Sequence, residues 1–149
     1  MTETAAIIDS APVEFASLVA GLAGTERAPA LAWSVQAYVW HAGDNLRIWA
    51  ERLAGAAAGG DRPVTGYDQD LLSEVRGYEA MPVGAALWSL ARATGDWREA
   101  TRLVGARRDI VVEHPTMGSF TVTDVTRQVA HDLHHHLDDV RRILSHQDP

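Results

Sequence analysis

The sequence predicts an all-α protein, a four-helix bundle, from three observations. Apolar residues recur at helical spacing in four segments, two of which are long. Strand signals are poor by comparison. Ser34 and Thr121 stand where the N-caps of long helices are expected. Amphipathic helices bury their apolar stripes against one another, so these segments are expected to pack as a bundle around one core.

The length and charge of the chain restrict the number of its domains and the kind of partner that it can bind. The chain has 149 residues, which suits one domain, and we expect a single domain over 1–149. It has 13 basic and 20 acidic residues and a formal net charge of −7. A nucleic-acid surface needs a positive patch that neutralises phosphates, so we expect no nucleic-acid partner.

The apolar runs and the cysteine content restrict the expected location of the protein and the chemistry that its side chains can perform. No apolar run reaches the length of a membrane span, and the N-terminus lacks the basic region of a signal peptide. We therefore expect a cytoplasmic protein with no membrane partner. The chain has no cysteine, which excludes disulfides, zinc–thiolate sites and a protein thiol nucleophile. Any thiol chemistry would have to use a small-molecule thiol.

The first two helices are predicted over 13–22 and over 34 to about 57. The apolar residues of the first are Phe15, Leu18, Val19 and Leu22. Ser34 can cap the second helix. The apolar stripe of the second helix comprises Val35, Tyr38, Val39, Ala42, Leu46, Trp49 and Leu53. Two glycines and a proline in 59–63 end this helix.

The connection after the second helix is long, 58–81, and is predicted to contain one short helix from Asp68 to Arg76. Pro82 suits the first turn of a third helix, 82 to about 104. Its apolar side comprises Val83, Leu87, Leu90, Thr94, Trp97, Thr101 and Val104.

The last part of the chain is predicted to be an extended stretch followed by a helix. Residues 109–118 include Pro115 and are expected to be extended. Thr121 and Asp124 have the spacing of a capping box, which predicts a fourth helix from 121 to about 146.

Four histidines lie within six residues of the fourth predicted helix, in VAHDLHHHLDDV at 129–140. His131 and His135 are four residues apart and therefore stack on one face, about 6 Å apart along the axis. His134 lies on their flank, and His136 points toward the apolar stripe of the helix. Two imidazoles on one face are half of a site for zinc, nickel or iron. The alternative is a solvated polar face.

His41 in the second helix is the candidate third ligand. At about 100° per residue, His41 and Asp44 lie together, roughly opposite the apolar stripe of that helix. The pair His131 and His135 also lies away from its own stripe. This pattern favours an open site in a groove between the second and fourth helices, with three protein ligands and a vacant position. Asp44 is the candidate catalytic residue, as a base or as an orienter of an imidazole, and a solvated helix acid is the alternative.

Four motifs together resemble the DinB-like superfamily. They are Trp33-Ser34-Val35-x-x-Tyr38-x-x-His41-x-x-Asp44, YDQD at 67–70, Gly118-x-Phe120-Thr121-Val122-x-Asp124 and His131-x-x-His134-His135. More narrowly, they are similar to the actinobacterial branch that includes the mycothiol-dependent maleylpyruvate isomerase N-terminal domain and thiol S-transferases. The resemblance implies an up-down-down-up bundle with a long crossover between helices two and three. It also implies a divalent metal, zinc or nickel, held by His41, His131 and His135.

The function implied is that of a transferase or isomerase that depends on mycothiol or another small thiol. A divalent cation held by three imidazoles would lower the pKa of a thiol bound beside it, so that the thiolate could attack a small electrophile. One alternative is a non-catalytic metal- or ligand-binding bundle, a homodimer formed through apolar flanks such as Trp40 and Ile48. Dimers are common in the DinB-like superfamily that the chain resembles. The other alternative is a plain structural bundle with incidental histidines.

Overall fold

The computed structural model describes residues 3–105, 110–116 and 118–147. Most of these residues are helical, and one small sheet precedes the last helix. The helices are α1 (Glu3–Leu18), α2 (Val35–Ala57), α3 (Gln69–Arg76), α4 (Val83–Gly105) and α5 (Val122–Ser145). The strands are β1 (Val111–His114) and β2 (Gly118–Thr121), and a single 3₁₀ turn lies at Tyr78–Ala80.

The four long helices form the predicted bundle. α2 and α4 run parallel, since Gly43 packs against the backbone of Leu90, and later in both helices Ala54 and Leu103 line the same depression. α5 runs antiparallel to α2. Asn45 of α2 contacts Asp132 of α5, and His41, which is one turn before Asn45 in α2, contacts His136, which is one turn after Asp132 in α5. α1 is antiparallel to α4, since the loop after α1 meets the start of α4 at Val83 while Asp9, midway along α1, pairs with Arg98 in the second half of α4. The up-down-down-up arrangement with a crossover between α2 and α4 is confirmed.

α1 begins ten residues earlier than the sequence pattern predicts and ends at Leu18. Pro12 lies inside it, where it lacks the N–H that would bond to Ile8. The helix persists through the proline because Ile8, Ala11 and Phe15 are fully buried against the bundle. Tertiary packing therefore outweighs the local cost of the proline. Gly21, with a φ of 81°, lies in the turn after the helix.

The predicted N-caps of two long helices are confirmed. The Ser34 hydroxyl accepts from the backbone N–H of Ala37 at 3.3 Å. Thr121 and Asp124 form a reciprocal capping box at the start of α5. These caps satisfy N–H groups that the first turn of a helix leaves without partners. They fix where the two helices that carry the candidate site begin.

The predicted extended stretch forms one arm of an antiparallel hairpin. β1 pairs with β2, with Val112 opposite Phe120. Residues 109 and 117 of that stretch lie outside the described residues. The backbone of Glu113 exchanges two hydrogen bonds with the crossover, at Arg62 and Val64. The hairpin therefore holds the crossover against the end of α2.

α2 is the central helix of the bundle. It contacts α4, α5, α3, the 3₁₀ turn and β1, and every residue from Val35 to Leu46 is buried. Trp40 is not exposed as predicted, since it is buried and stacks on Tyr78 with ring centroids 6.3 Å apart. Ile48 is partly exposed, and the dimer stays a prediction. Within the described ranges, no helix has the length and apolar character needed to cross a bilayer.

Candidate metal centre

His41 of α2 and Asp132 and His136 of α5 bring one possible ligand atom each to within 4.8 Å of one another. His41 Nε2 lies 3.8 Å from Asp132 Oδ2, and His136 Nε2 lies 3.4 Å from Asp132 Oδ1. The two imidazole centroids are 4.8 Å apart. Asp132 and His136 are one turn apart on the same face of α5. Two helices thus supply a compact group of three side chains, called here the His41 group.

The donor set of the His41 group fits a divalent metal. His41 Nδ1 and His136 Nε2 are buried and have no hydrogen-bond partner in the protein. Buried polar atoms are nearly always satisfied, so two unpartnered nitrogens, one on each imidazole that contacts Asp132, indicate that the group binds a further species such as a metal ion. Two imidazoles and one carboxylate are a ligand set of catalytic zinc sites, in which the remaining position is left open.

Neighbouring side chains orient the ligands of the His41 group. Asp139 Oδ2 lies 3.4 Å from His136 Nδ1, which places a proton on that nitrogen and leaves Nε2 facing Asp132. Asn45 Nδ2 donates to Asp132 Oδ2 at 2.6 Å, and the Tyr67 hydroxyl donates to Asn45 Oδ1 at 3.4 Å. This chain of hydrogen bonds fixes the carboxylate and one imidazole before any ion arrives.

The ionisation of the group also suits metal binding. Burial, reinforced by the neighbouring His136, lowers the pKa of His41 to about 4, so His41 is a neutral imidazole at pH 7. Burial lowers the pKa of His136, but the close carboxylates of Asp132 and Asp139 outweigh it and raise the pKa overall. Burial alone would raise the pKa of Asp132, but the contacts with His136, His41 and Asn45 outweigh burial and lower the pKa overall. The carboxylate of Asp132 is therefore charged, and metal binding would displace protons only from the histidines of the group.

A cavity of about 590 Å³ opens beside the His41 group, and its volume suits a small-molecule ligand. It is lined by His41, Asn45, Trp49, Arg52, Gly66, Tyr67, Asp68, Gln69, His114, Pro115, Thr116, Gln128 and Asp132. A smaller cavity of about 210 Å³ lies on the other side, against His136 and Asp139. His41 and Asp132 thus lie at the wall of the large cavity, and His136 lies at the wall of the smaller one.

The structure brings other residues of α5 to His41 than the predicted ligand set contains. His41 belongs to the group, but its partners are Asp132 and His136, and the structure does not bring His131 and His135 to His41. His131 is exposed and lines a surface depression next to β2. The side chain of His135 is 56% exposed, with Nε2 3.8 Å from Asp139 Oδ2. The ligand pair lies one residue further along α5, a rotation of about 100°.

His41 was also expected to lie in an open groove, and the structure places it at 2% exposure. This expectation assumed that the side of α2 opposite its apolar stripe is exposed to solvent. α2 is covered on that side by α5, so the stripe did not mark the exposed face.

Asp44 is neither a solvated acid nor a residue of the large cavity. It is 1% exposed. Its Oδ2 accepts from Arg76 Nε at 2.7 Å and from the Tyr78 hydroxyl at 2.6 Å, and its Oδ1 accepts from Arg47. Arg47 also donates to Ser89 of α4 at 2.6 Å. Asp44 is the centre of an ion cluster that ties α2 to the crossover and to α4. This is a structural position, and the catalytic role stays a prediction.

The sequence contained two signals for the residues that were missed. Asp132 and His136 have the same four-residue spacing as His131 and His135. His136 was assigned to the apolar side of its helix, and an ionisable side chain on a buried face needs a partner. Asp139, three residues on, is that partner.

The fold and the His41 group define a four-helix bundle with a candidate metal centre at the wall of a cavity. No family model matches the sequence, and no curated protein matches it. Among solved structures the chain is similar to YfiT from Bacillus subtilis, described as a probable metal-dependent hydrolase with an unusual four-helix bundle topology. The TM-score is 0.81 at 18% identity, over 98% of this chain and 89% of that chain. The likeness shows that the two share a fold, the four-helix bundle with a long crossover that the sequence analysis predicted.

Proposed function

We propose that this chain is a metal-dependent enzyme that joins or rearranges small molecules with the help of a small thiol, as a transferase or isomerase. The observation that carries the proposal is the pair of buried imidazoles that contact Asp132, each with one unpartnered nitrogen, beside a cavity of about 590 Å³. A divalent cation, zinc or nickel, would supply a Lewis acid that lowers the pKa of a thiol or water in the cavity.

The side chains of the chain then have defined tasks. His41, Asp132 and His136 would hold the cation. Asn45 orients the carboxylate, and Asp139 keeps a proton on the far nitrogen of His136. Trp33 packs against His41, with ring centroids 4.9 Å apart, and would help to hold that imidazole in place.

The nucleophile is a small thiol in this proposal. The chain has no cysteine to supply one, and its motifs resemble the mycothiol-dependent branch of the DinB-like superfamily. The second candidate function is hydrolysis with water as nucleophile, and it is supported by the description of YfiT as a probable metal-dependent hydrolase. A non-catalytic metal-binding bundle is the third outcome to be tested.

Metal content of untagged protein tests the ligand set. His136→Ala is expected to lose most of the bound divalent metal measured by mass spectrometry. His135→Ala is the matched control, since it removes an adjacent imidazole outside the group, and is expected to keep the metal content of the unmodified protein. Equal losses in the two variants, or metal-free unmodified protein after metal supplementation, would contradict the proposal.

Product analysis separates the three functions. The metal-loaded protein is incubated with an epoxide or an activated alkene, with and without mycothiol, and with an ester as a hydrolytic substrate. Products are followed by nuclear magnetic resonance. Conversion that needs both metal and thiol supports the proposal, and ester cleavage without thiol supports hydrolysis. Bound metal with no turnover of any substrate indicates a binding protein.

A further inference from the structure

Arg52 stands at the other end of the large cavity from the His41 group. Its guanidinium carbon lies 4.7 Å from the centroid of the Trp49 ring and 5.9 Å from that of Tyr67. One nitrogen donates to the backbone carbonyl of Thr65 in the crossover. Two aromatic faces and one hydrogen bond hold this cation in a fixed position, so little side-chain freedom remains to be lost when an anion binds.

The charge of Arg52 has no carboxylate partner among the described residues. The carbonyl of Thr65 occupies one of its five N–H donors. Asp68 is the other charged residue on the cavity wall apart from Asp132, and its Oδ1 caps α3 by accepting from the N–H groups of Asp70 and Leu71. A half-buried guanidinium that lines a cavity without an acid beside it is a receptor for an anion from solution.

The geometry of α2 sets the distance from this receptor to the His41 group. His41, Asn45, Trp49 and Arg52 recur at helical spacing along one face, and all four line the same cavity. His41 and Arg52 are eleven residues apart, about 16 Å along the helix axis. A molecule that contacts both ends must therefore be elongated, with its anionic group on the order of 10 Å or more from its reacting atom.

The geometry points to an elongated small-molecule carboxylate as the ligand of this cavity, with its carboxylate paired to Arg52 and its other end at the His41 group. This inference rests on the proposed function, which says what the end of the ligand at the His41 group does. The carboxylate belongs either to the thiol or to the second substrate. Arg52 is a specificity-determining residue in both cases, because guanidinium and carboxylate form two parallel hydrogen bonds.

The test is calorimetric titration of the metal-loaded protein with mercaptooctanoate and with mercaptooctanol, which differ only in the charged end. We expect the carboxylate to bind about tenfold or more tightly than the alcohol. Arg52→Gln should remove that preference while it retains metal, and Arg52→Lys should keep part of it. Arg92→Gln is the matched control, since Arg92 is exposed on α4 and does not line the large cavity.

Two further probes separate this inference from the proposed function. Mercaptopropanoate is too short to span the cavity and should show no preference over mercaptopropanol. Octanoate has the charged end without the thiol. If octanoate binds as tightly as mercaptooctanoate and loses affinity in Arg52→Gln, the anion receptor stands and the thiol nucleophile is wrong. Equal affinities of mercaptooctanoate and mercaptooctanol, equal weakening of both in Arg52→Gln, or no binding of any probe overturns the anion receptor.

Discussion

Two buried polar clusters lie side by side on α2, one around Asp44 and one around His41, and they differ in how their atoms are satisfied. Both oxygens of Asp44 accept from cationic or hydroxyl donors on α2, α3 and the 3₁₀ turn. The His41 group leaves two imidazole nitrogens without partners. The Asp44 cluster is complete within the protein, and the His41 group is not.

This difference separates a structural cluster from a binding site. A buried charge that is paired on all sides holds elements together and is costly to break. A buried group with unpartnered atoms contributes little to stability on its own and is retained where something else binds. The large cavity adjoins the incomplete cluster and not the complete one. Both kinds of residue are ionisable and buried, so only their partners distinguish them.

The largest expected effect is on the Asp44 cluster. Asp44→Asn removes the charge that Arg47 and Arg76 share, and should lower the free energy of unfolding by about 3 kcal/mol. Urea denaturation of metal-free protein measures it, with the exposed Asp61→Asn as the charge-matched control. The metal content of the folded variant should stay unchanged. Loss of metal without loss of stability would place Asp44 in the site, as the sequence pattern predicted.

A smaller effect is expected at the residue that orients His136. Asp139→Asn should weaken metal affinity about 10- to 100-fold, because the hydrogen bond that fixes the imidazole tautomer is lost. Competition with a chelating dye gives the dissociation constants. Asp138→Asn is the control, since Asp138 faces solvent and pairs with Arg141 at 2.8 Å. Unchanged affinity in Asp139→Asn would show that His136 is oriented by other contacts.

The smallest expected change concerns stability at His41. His41→Phe keeps an aromatic ring in the core and removes a nitrogen that has no partner. The free energy of unfolding of metal-free protein should stay within about 1 kcal/mol of the original. Added zinc should stabilise the unmodified protein and not the variant. A loss as large as that in Asp44→Asn would mean that the two clusters play the same structural role.

Local signals in the sequence predicted most of the fold. Ser34 and the capping box at Thr121 and Asp124 begin their helices where expected, because a cap acts within one turn of the chain. The start of α1 was missed, because the contacts that carry the helix through Pro12 come from the rest of the bundle. The hairpin was expected only as an extended stretch, since its pairing partner is a separate segment.

The candidate site was predicted in part. His41 and the histidine-rich part of α5 were identified, because their chemistry is visible in the sequence. The choice between His131 with His135 and Asp132 with His136 depends on how α5 is rotated about its axis against α2. One residue changes that rotation by about 100°. The apolar stripe of α2 could not decide it, because a central helix is buried on nearly every side.

The sequence alone determined that four amphipathic helices with capped ends would form a bundle, and that two of them would carry imidazoles. These properties depend on side chains within one or two turns of each other. The tertiary structure decided which ionisable residues lie together, which of them are satisfied and which border a cavity. Those properties are set by contacts between residues such as Asn45 and Asp132, 87 positions apart, and no local pattern contains them.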